Sequence, residues 1–193
     1  MTRITDMIAE GPVHQRAVQV RTFPAGDDRI VVEGELKDDR LVPGHHWDGG
    51  RRSPGVIHNM IVRILVGDWP LTILDAEAEM PGIPHEQCVE TRDSVQKVIG
   101  VPIVAGYSEK IRHTLGGTAG CAHMTHLLVV MGPAALHGYW NQAARKPRPV
   151  PKSEDDFVSL RYLKNSCRLW REDGPIMEKI RARIAELNPE GEV

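Results

Sequence analysis

Residues 56 to 66, VIHNMIVRILV, decide the fold. Their strict alternation places His58, Met60, Val62, Ile64 and Val66 on one face and Ile57, Asn59, Ile61, Arg63 and Leu65 on the other. That is a strand with one side on a core, and it carries a histidine among the inward-facing residues. Gly67-Asp68-Trp69-Pro70 reads as a turn, after which Leu71 to Met80 returns as a further strand. Upstream, Val13 to Phe23 alternates, Ala25-Gly26-Asp27-Asp28 turns, and Arg29 to Leu36 alternates again, which is a hairpin. Four strands joined by short connections favour antiparallel pairing.

Past Pro81-Gly82 the period changes. Cys88, Val95, Val98 and Ile99 recur at helical intervals behind Pro84, which suits a first helical turn. Ile103, Tyr107, Ile111 and Leu115 mark a second helix ended by Gly116-Gly117. A third begins near Thr118 or Gly120 and is expected to break at Gly132-Pro133, resuming through Tyr139 to Ala144. Strands first and helices afterwards define an α+β fold: an N-terminal antiparallel sheet of about four strands, covered by C-terminal helices. The expected organisation is a single α+β domain over residues 1–145 holding the site. Residues 146–193 follow as a proline-containing linker and an amphipathic tail, with Leu160, Leu163, Cys167 and Trp170, then Ile176, Ile180 and Ile184, at helical spacing.

Composition narrows the function. At 193 residues, 41% hydrophobic and 26% charged, the chain is long enough and apolar enough to bury a core without metal or disulfide staples. A formal charge of −2 offers no general attraction for nucleic acid or an anionic membrane, and no apolar run approaches a membrane span. Three widely spaced cysteines without a C-x-x-C pair indicate neither a disulfide framework nor a zinc ribbon, and an acidic N-terminus without an apolar stretch does not resemble a secretory signal. A cytoplasmic location is expected, with a small-molecule substrate and neither nucleic acid nor membrane as partner.

Seven of the nine histidines lie between His45 and His126, which makes their grouping the main chemical signal. Residues 44 to 60, GHHWDGGRRSPGVIHNM, place three of them in or beside a connection long enough to be functional rather than merely solvated. There Asp48 could orient His45 or His46 through a ring N–H, while Arg51 and Arg52 could hold an anion. His123 and His126, three apart, share a helix face. Together His45, His46, His58, His123 and His126 supply enough nitrogen donors for a divalent metal with an open position, with Asp48 as ligand or orienting group. No H-E-x-x-H or comparable spacing selects that reading over plain acid/base chemistry.

The stretch LGGTAGCAHMTH, residues 115 to 126, has two readings. Gly117 and Gly120 before a helix could expose backbone N–H groups to an anion, or the glycines could simply end one helix while Thr118 caps the next. It is neither a Walker loop nor a dinucleotide fingerprint, so no organic cofactor is expected. Cys121 is either a reactive thiol at a helix N-terminus or a small packing residue.

Five segments, VHQRAVQVRTF, DDRIVVEGEL, GVIHNMIVRILV, ILDAEAEMPGIPHEQC and LGGTAGCAHMTHLL, run in order from Val13 to Leu128. In them the chain resembles the bacterial family catalogued as domain of unknown function 2889. The resemblance implies roles for His58, Asp75, Cys88, Gly116, Gly117, Gly120, Cys121 and His123. It departs at Asn59, where an acidic residue is usual, and at His126, where a glutamate is usual. It also implies a link to bacterial catabolism of aromatic compounds.

Two classes of function follow. In the first, His58, His123, Cys121, His46 and Asp48 form the catalytic set of a small-molecule enzyme, with Arg51, Arg52, Gly117 and Gly120 binding an anionic group. A lyase making a retro-aldol or similar C–C cleavage is preferred, because no nucleophile elbow or cysteine-hydrolase signature is present; a hydrolase with metal- or base-activated water is the alternative. In the second, the same pocket binds a small acid without turnover and the tail helices make a homo-oligomer contact. The tail could equally pack on its own domain.

Overall fold

The structure, a computed structural model, describes residues 2–26 and 28–189. Four long strands, β1 (His14–Pro24), β2 (Ile30–Arg40), β5 (Gly55–Gly67) and β6 (Thr72–Gly82), form an antiparallel sheet in the order β1-β2-β5-β6. Two short strands, β3 (Gly44–His45) and β4 (Arg51–Arg52), pair as a separate ribbon within the connection from β2 to β5. Helices α1 (Tyr107–Leu115), α2 (Ala122–Ala143), α3 (Leu160–Leu163) and α4 (Pro175–Leu187) follow, so the arrangement is α+β.

Alternation builds the sheet's two faces. Ile30, Val32 and Leu36 of β2 and Met60, Val62, Ile64 and Val66 of β5 are buried in one core with Ile111 and Leu115 of α1 and Met124, Leu127, Leu128 and Met131 of α2. The opposite face carries a ladder of charge across all four strands: Arg21 and Arg63 each lie 2.7 Å from Glu33, and Arg63 continues to Glu77 (3.3 Å) and Glu79. Such cross-strand pairs fix register on a face that water can reach.

Glycines let α2 lie close to the sheet. A Cβ at Gly34 of β2 would stand 2.7 Å from Met131 Sδ, and one at Gly138 of α2 would stand 2.4 Å from Thr22 of β1. Opposite Tyr107, whose hydroxyl donates to the Leu128 carbonyl at 2.9 Å, a Cβ at Gly132 would come within 2.4 Å of the ring. This helix therefore runs along β1 and β2, and its first turn reaches the end of the sheet where β2 finishes.

Three sequence expectations need correcting. Residues Glu86–Val98 form successive 3-10 turns rather than an α-helix. There Thr91 and Ser94 donate their hydroxyls to the carbonyls of Cys88 and Thr91, and the three-residue repeat puts Val95 and Val98 in one row on the core. Ile103 precedes α1 rather than belonging to it, because Gly106 with φ 83° starts the helix at Tyr107. Helix α2 also continues through Pro133. The lost N–H bond costs about 3 kcal/mol in a helix interior, which the buried Leu127, Leu128, Met131 and Ala135 on either side offset.

By internal contacts the chain divides into two compact units, Met1–Tyr139 and Trp140–Val193. The second holds α3 and α4, with Leu160 and Met177 buried and Trp140 edge-on to Tyr162.

Candidate active site

The alternation that buries Ile30, Val32 and Leu36 continues two residues further, to Asp38, whose carboxylate is carried on the core face and is 2% exposed. Across the strands Asp38 faces Arg16 of β1 on one side and His58 of β5 on the other, so the three lie in one row. At the next step the pairing slips: Asp39 faces Val56, leaving Ile57 as an extra residue. A bulge of this kind bends its strand and redirects the neighbouring side chain, here His58.

Around Asp38 the charges converge. Arg16 donates Nε and Nη2 to the two carboxylate oxygens, both at 2.7 Å. His58 Nδ1 lies 3.0 Å from Oδ2, His123 Nε2 of α2 lies 3.6 Å from Oδ2, and His14 Nε2 lies 3.5 Å from Oδ1. The rings of His58 and His123 stack with centroids 3.9 Å apart and planes tilted by 33°. Cys121, immediately before α2, brings Sγ to 3.9 Å from the other ring nitrogen of His123, Nδ1.

Arg16's hydrogen bonds hold the Asp38 carboxyl down to about 2 against the opposing effect of burial, and the His58 bond adds to this. Asp38 is thus ionised at neutral pH and can only accept. It follows that His58 donates an Nδ1 proton to Asp38, and the neutral ring in that tautomer carries its lone pair on Nε2, which has no hydrogen-bond partner among the described residues. Burial, followed by repulsion from a protonated His58 and from Arg16, pushes the His123 imidazole below its usual range and favours its neutral form. Net charge at this end of the sheet is set by one carboxylate facing four potential cations.

A cavity of about 460 Å³ opens over these groups. His58, His123, Cys121 and Arg52 supply its polar lining. Met60 and Pro84 make apolar wall, and His85, Cys88 and Thr91 of the 3-10 segment and its approach close another side. Arg52 reaches it from β4, with Nε donating to a ring nitrogen of His46 at 2.8 Å. The β3-β4 ribbon is therefore what brings the connection after β2 beside His58.

Not every residue expected from the sequence arrives. His58, His123, Cys121 and Arg52 meet at the cavity, and His46 supports Arg52. Asp48 instead accepts from the Gly50 N–H at 2.9 Å, shaping the ribbon's turn, and is exposed. His45 and Arg51 are exposed and face each other across β3 and β4, and His126 is exposed on α2. Gly117 takes φ 60° after α1, and a Cβ at Gly120 would stand 2.9 Å from Ser94 Oγ, so both serve the path of the chain and its packing. Among residues the resemblance favours, Cys88 lines the cavity, whereas Asp75 is exposed and accepts from the Ala76 N–H. The orienting carboxylate is thus Asp38, not Asp48. Sequence reasoning missed it by ending the second strand at Leu36, and with no buried carboxylate in view it gave no role to Arg16 or His14 on the first strand; His85 was passed over as well.

The metal-capable group is likewise different from the all-histidine set. Asp38, His58 and His123 each offer one donor atom, all within 4.8 Å of one another, so this trio could hold a metal ion. His45, His46 and His126 take no part in it.

Fold and site together define an α+β protein with a pair of imidazoles beside a buried carboxylate at a largely apolar cavity. The family model described as "Protein of unknown function (DUF2889)" matches residues 14–137, and the chain belongs to that family. No curated protein and no solved structure matches it. Among the described residues no helix is long and apolar enough to cross a membrane.

Proposed function

We propose that this protein is a cytoplasmic small-molecule enzyme that uses His58 as its general base, most simply as a lyase cleaving a C–C bond of an aromatic or other small β-hydroxy carbonyl compound. The observation that carries this reading is the Asp38–His58 pair at the cavity: a buried, ionised carboxylate lies 3.0 Å from Nδ1 of a ring that lines the cavity, which leaves Nε2 as the nitrogen available to act as a base. His58 takes the proton of the substrate hydroxyl, the adjacent C–C bond breaks to give an aldehyde, and the electron pair passes to the conjugated carbonyl oxygen. Arg52, held by His46, is placed to stabilise that oxyanion. Ionised Asp38 stabilises the imidazolium that forms, and the proton returns to the carbanion carbon. The three unpaired cysteines suit a reducing compartment.

A panel of aromatic β-hydroxy ketones and acids, followed by detection of released aldehyde, tests the proposal. Turnover by the wild-type protein that drops about 10²- to 10⁴-fold in His58→Gln, with binding retained, supports it. Binding without turnover in the wild type would identify a non-catalytic binding module instead.

A second reading is a hydrolase whose water is activated by a metal on Asp38, His58 and His123, favoured by the convergence of their donor atoms. Against it stands Arg16, which already engages both carboxylate oxygens at 2.7 Å and places a fixed positive charge beside the would-be cation.

A further inference from the structure

Cys121, His123 and Asp38 form a chain of contacts that the base chemistry of His58 leaves unused. The thiol lies 3.9 Å from His123 Nδ1, and His123 Nε2 lies 3.6 Å from Asp38 Oδ2. His123 turns Nε2 toward the Asp38 carboxylate and Nδ1 toward the thiol, so the tautomer with its proton on Nε2 offers the Nδ1 lone pair to sulfur. Cys121 also lines the same cavity as His58, so a ligand carbon held there is accessible to sulfur. A cysteine that served only packing would need none of this arrangement.

We propose that Cys121 is a nucleophilic thiol that adds reversibly to the carbonyl carbon of an aldehyde held in the cavity that Cys121, His58 and His123 line. In the step, His123 Nδ1 takes the S–H proton, a C–S bond forms, and the carbonyl π pair moves to oxygen, which recovers the proton from His123. The product is a neutral hemithioacetal, with no oxidant or reductant consumed. Choosing an aldehyde rests on the C–C cleavage proposed above; the nucleophilicity of Cys121 does not. In that setting the thiol would retain the aldehyde fragment while the other product is reprotonated.

The test uses limited alkylation of the full-length protein by iodoacetamide at neutral pH, read by peptide mass spectrometry at all three cysteines. Cys121, though only partly exposed, is expected to react about ten-fold faster than the exposed Cys167, and His123→Gln is expected to abolish the difference. Benzaldehyde, small enough for the cavity, is expected to slow alkylation at Cys121 and leave Cys167 unchanged, in the wild type and in His58→Gln alike. Equal rates at Cys121 and Cys167 in the unsubstituted protein would overturn the nucleophile, whether or not the variant folds. Fast alkylation without benzaldehyde protection would overturn the aldehyde assignment. Failure of the lyase reading appears separately, as absent aldehyde release from the substrate panel with Cys121 still reactive.

Discussion

Arg16 and Asp38 face each other across β1 and β2, joined by two hydrogen bonds of 2.7 Å, and through them an arginine that never touches the cavity governs the charge of the group that orients His58. A lone buried carboxylate would tend to take up a proton; this one is held ionised.

Replacing Asp38 by Asn keeps the shape and removes the charge. The amide can present an N–H to His58, which would reverse the imidazole tautomer and move the lone pair away from the cavity. Activity is expected to fall about 10³- to 10⁴-fold with little change in substrate binding. Because the Arg16 side chain is 42% exposed and water can take over its solvation, the expected stability loss is only about 1–2 kcal/mol, measurable by urea denaturation.

Acid should weaken the fold in two stages. His123 is pushed below 6.5, so as pH falls through 6.5 the unfolded chain gains a proton before the folded one does, and stability present above that pH declines. Asp38 is lowered from 3.8 to about 2, so its contribution is complete above 3.8 and is lost as pH falls toward 2, a term of about 2 kcal/mol. Arg16→Gln should shrink the second stage strongly and the first only slightly, because burial is the larger cause of the His123 shift. Urea midpoints across this range that change identically in both proteins would contradict the assignment.

Exhaustive dialysis against a chelator is expected to leave activity and melting temperature unchanged, since Arg16 already satisfies the carboxylate a cation would need. Loss of both, with recovery on adding Zn²⁺, would favour the hydrolase reading and place the ion on Asp38, His58 and His123.

Gly132→Ala should destabilise the protein by about 1–3 kcal/mol, because the new methyl would sit 2.4 Å from the Tyr107 ring, whose hydroxyl is committed to Leu128. Adding Tyr107→Ala to the same protein should recover less than the full loss, since burying no ring in that space leaves a cavity. Thermal melts of the single and double variants decide this.

The sheet was legible because alternation in residues 56 to 66 and in the preceding hairpin is a direct consequence of strand geometry, and those strands form, the second running on past Leu36 to Arg40. His58 was legible as a cavity-lining residue by its place on the inward face, whereas His123 stood out for sharing a helix face with His126, a pair of which only His123 lines the cavity. Asp38 was not, although the same period that made Leu36 inward makes Asp38 inward; a carboxylate two residues past an apolar run reads locally as the end of a strand. Only pairing with Arg16 and His58 explains its burial, and the bulge at Ile57 that sets that pairing has no distinctive residue type. Asp48 drew attention because it is near two histidines in sequence, but the β3-β4 turn uses its side chain locally.

The ring tautomer of His58 is the most direct measurement. Long-range ¹H–¹⁵N correlation spectra of the uniformly labelled protein, recorded above about pH 8 where imidazoles are neutral, distinguish the two nitrogens without any substrate. A protonated Nδ1 with a bare Nε2, switching in Asp38→Asn, is the predicted result. A protonated Nε2 in the wild-type protein would contradict the account, since the nitrogen facing the cavity would then have no lone pair to act as a base.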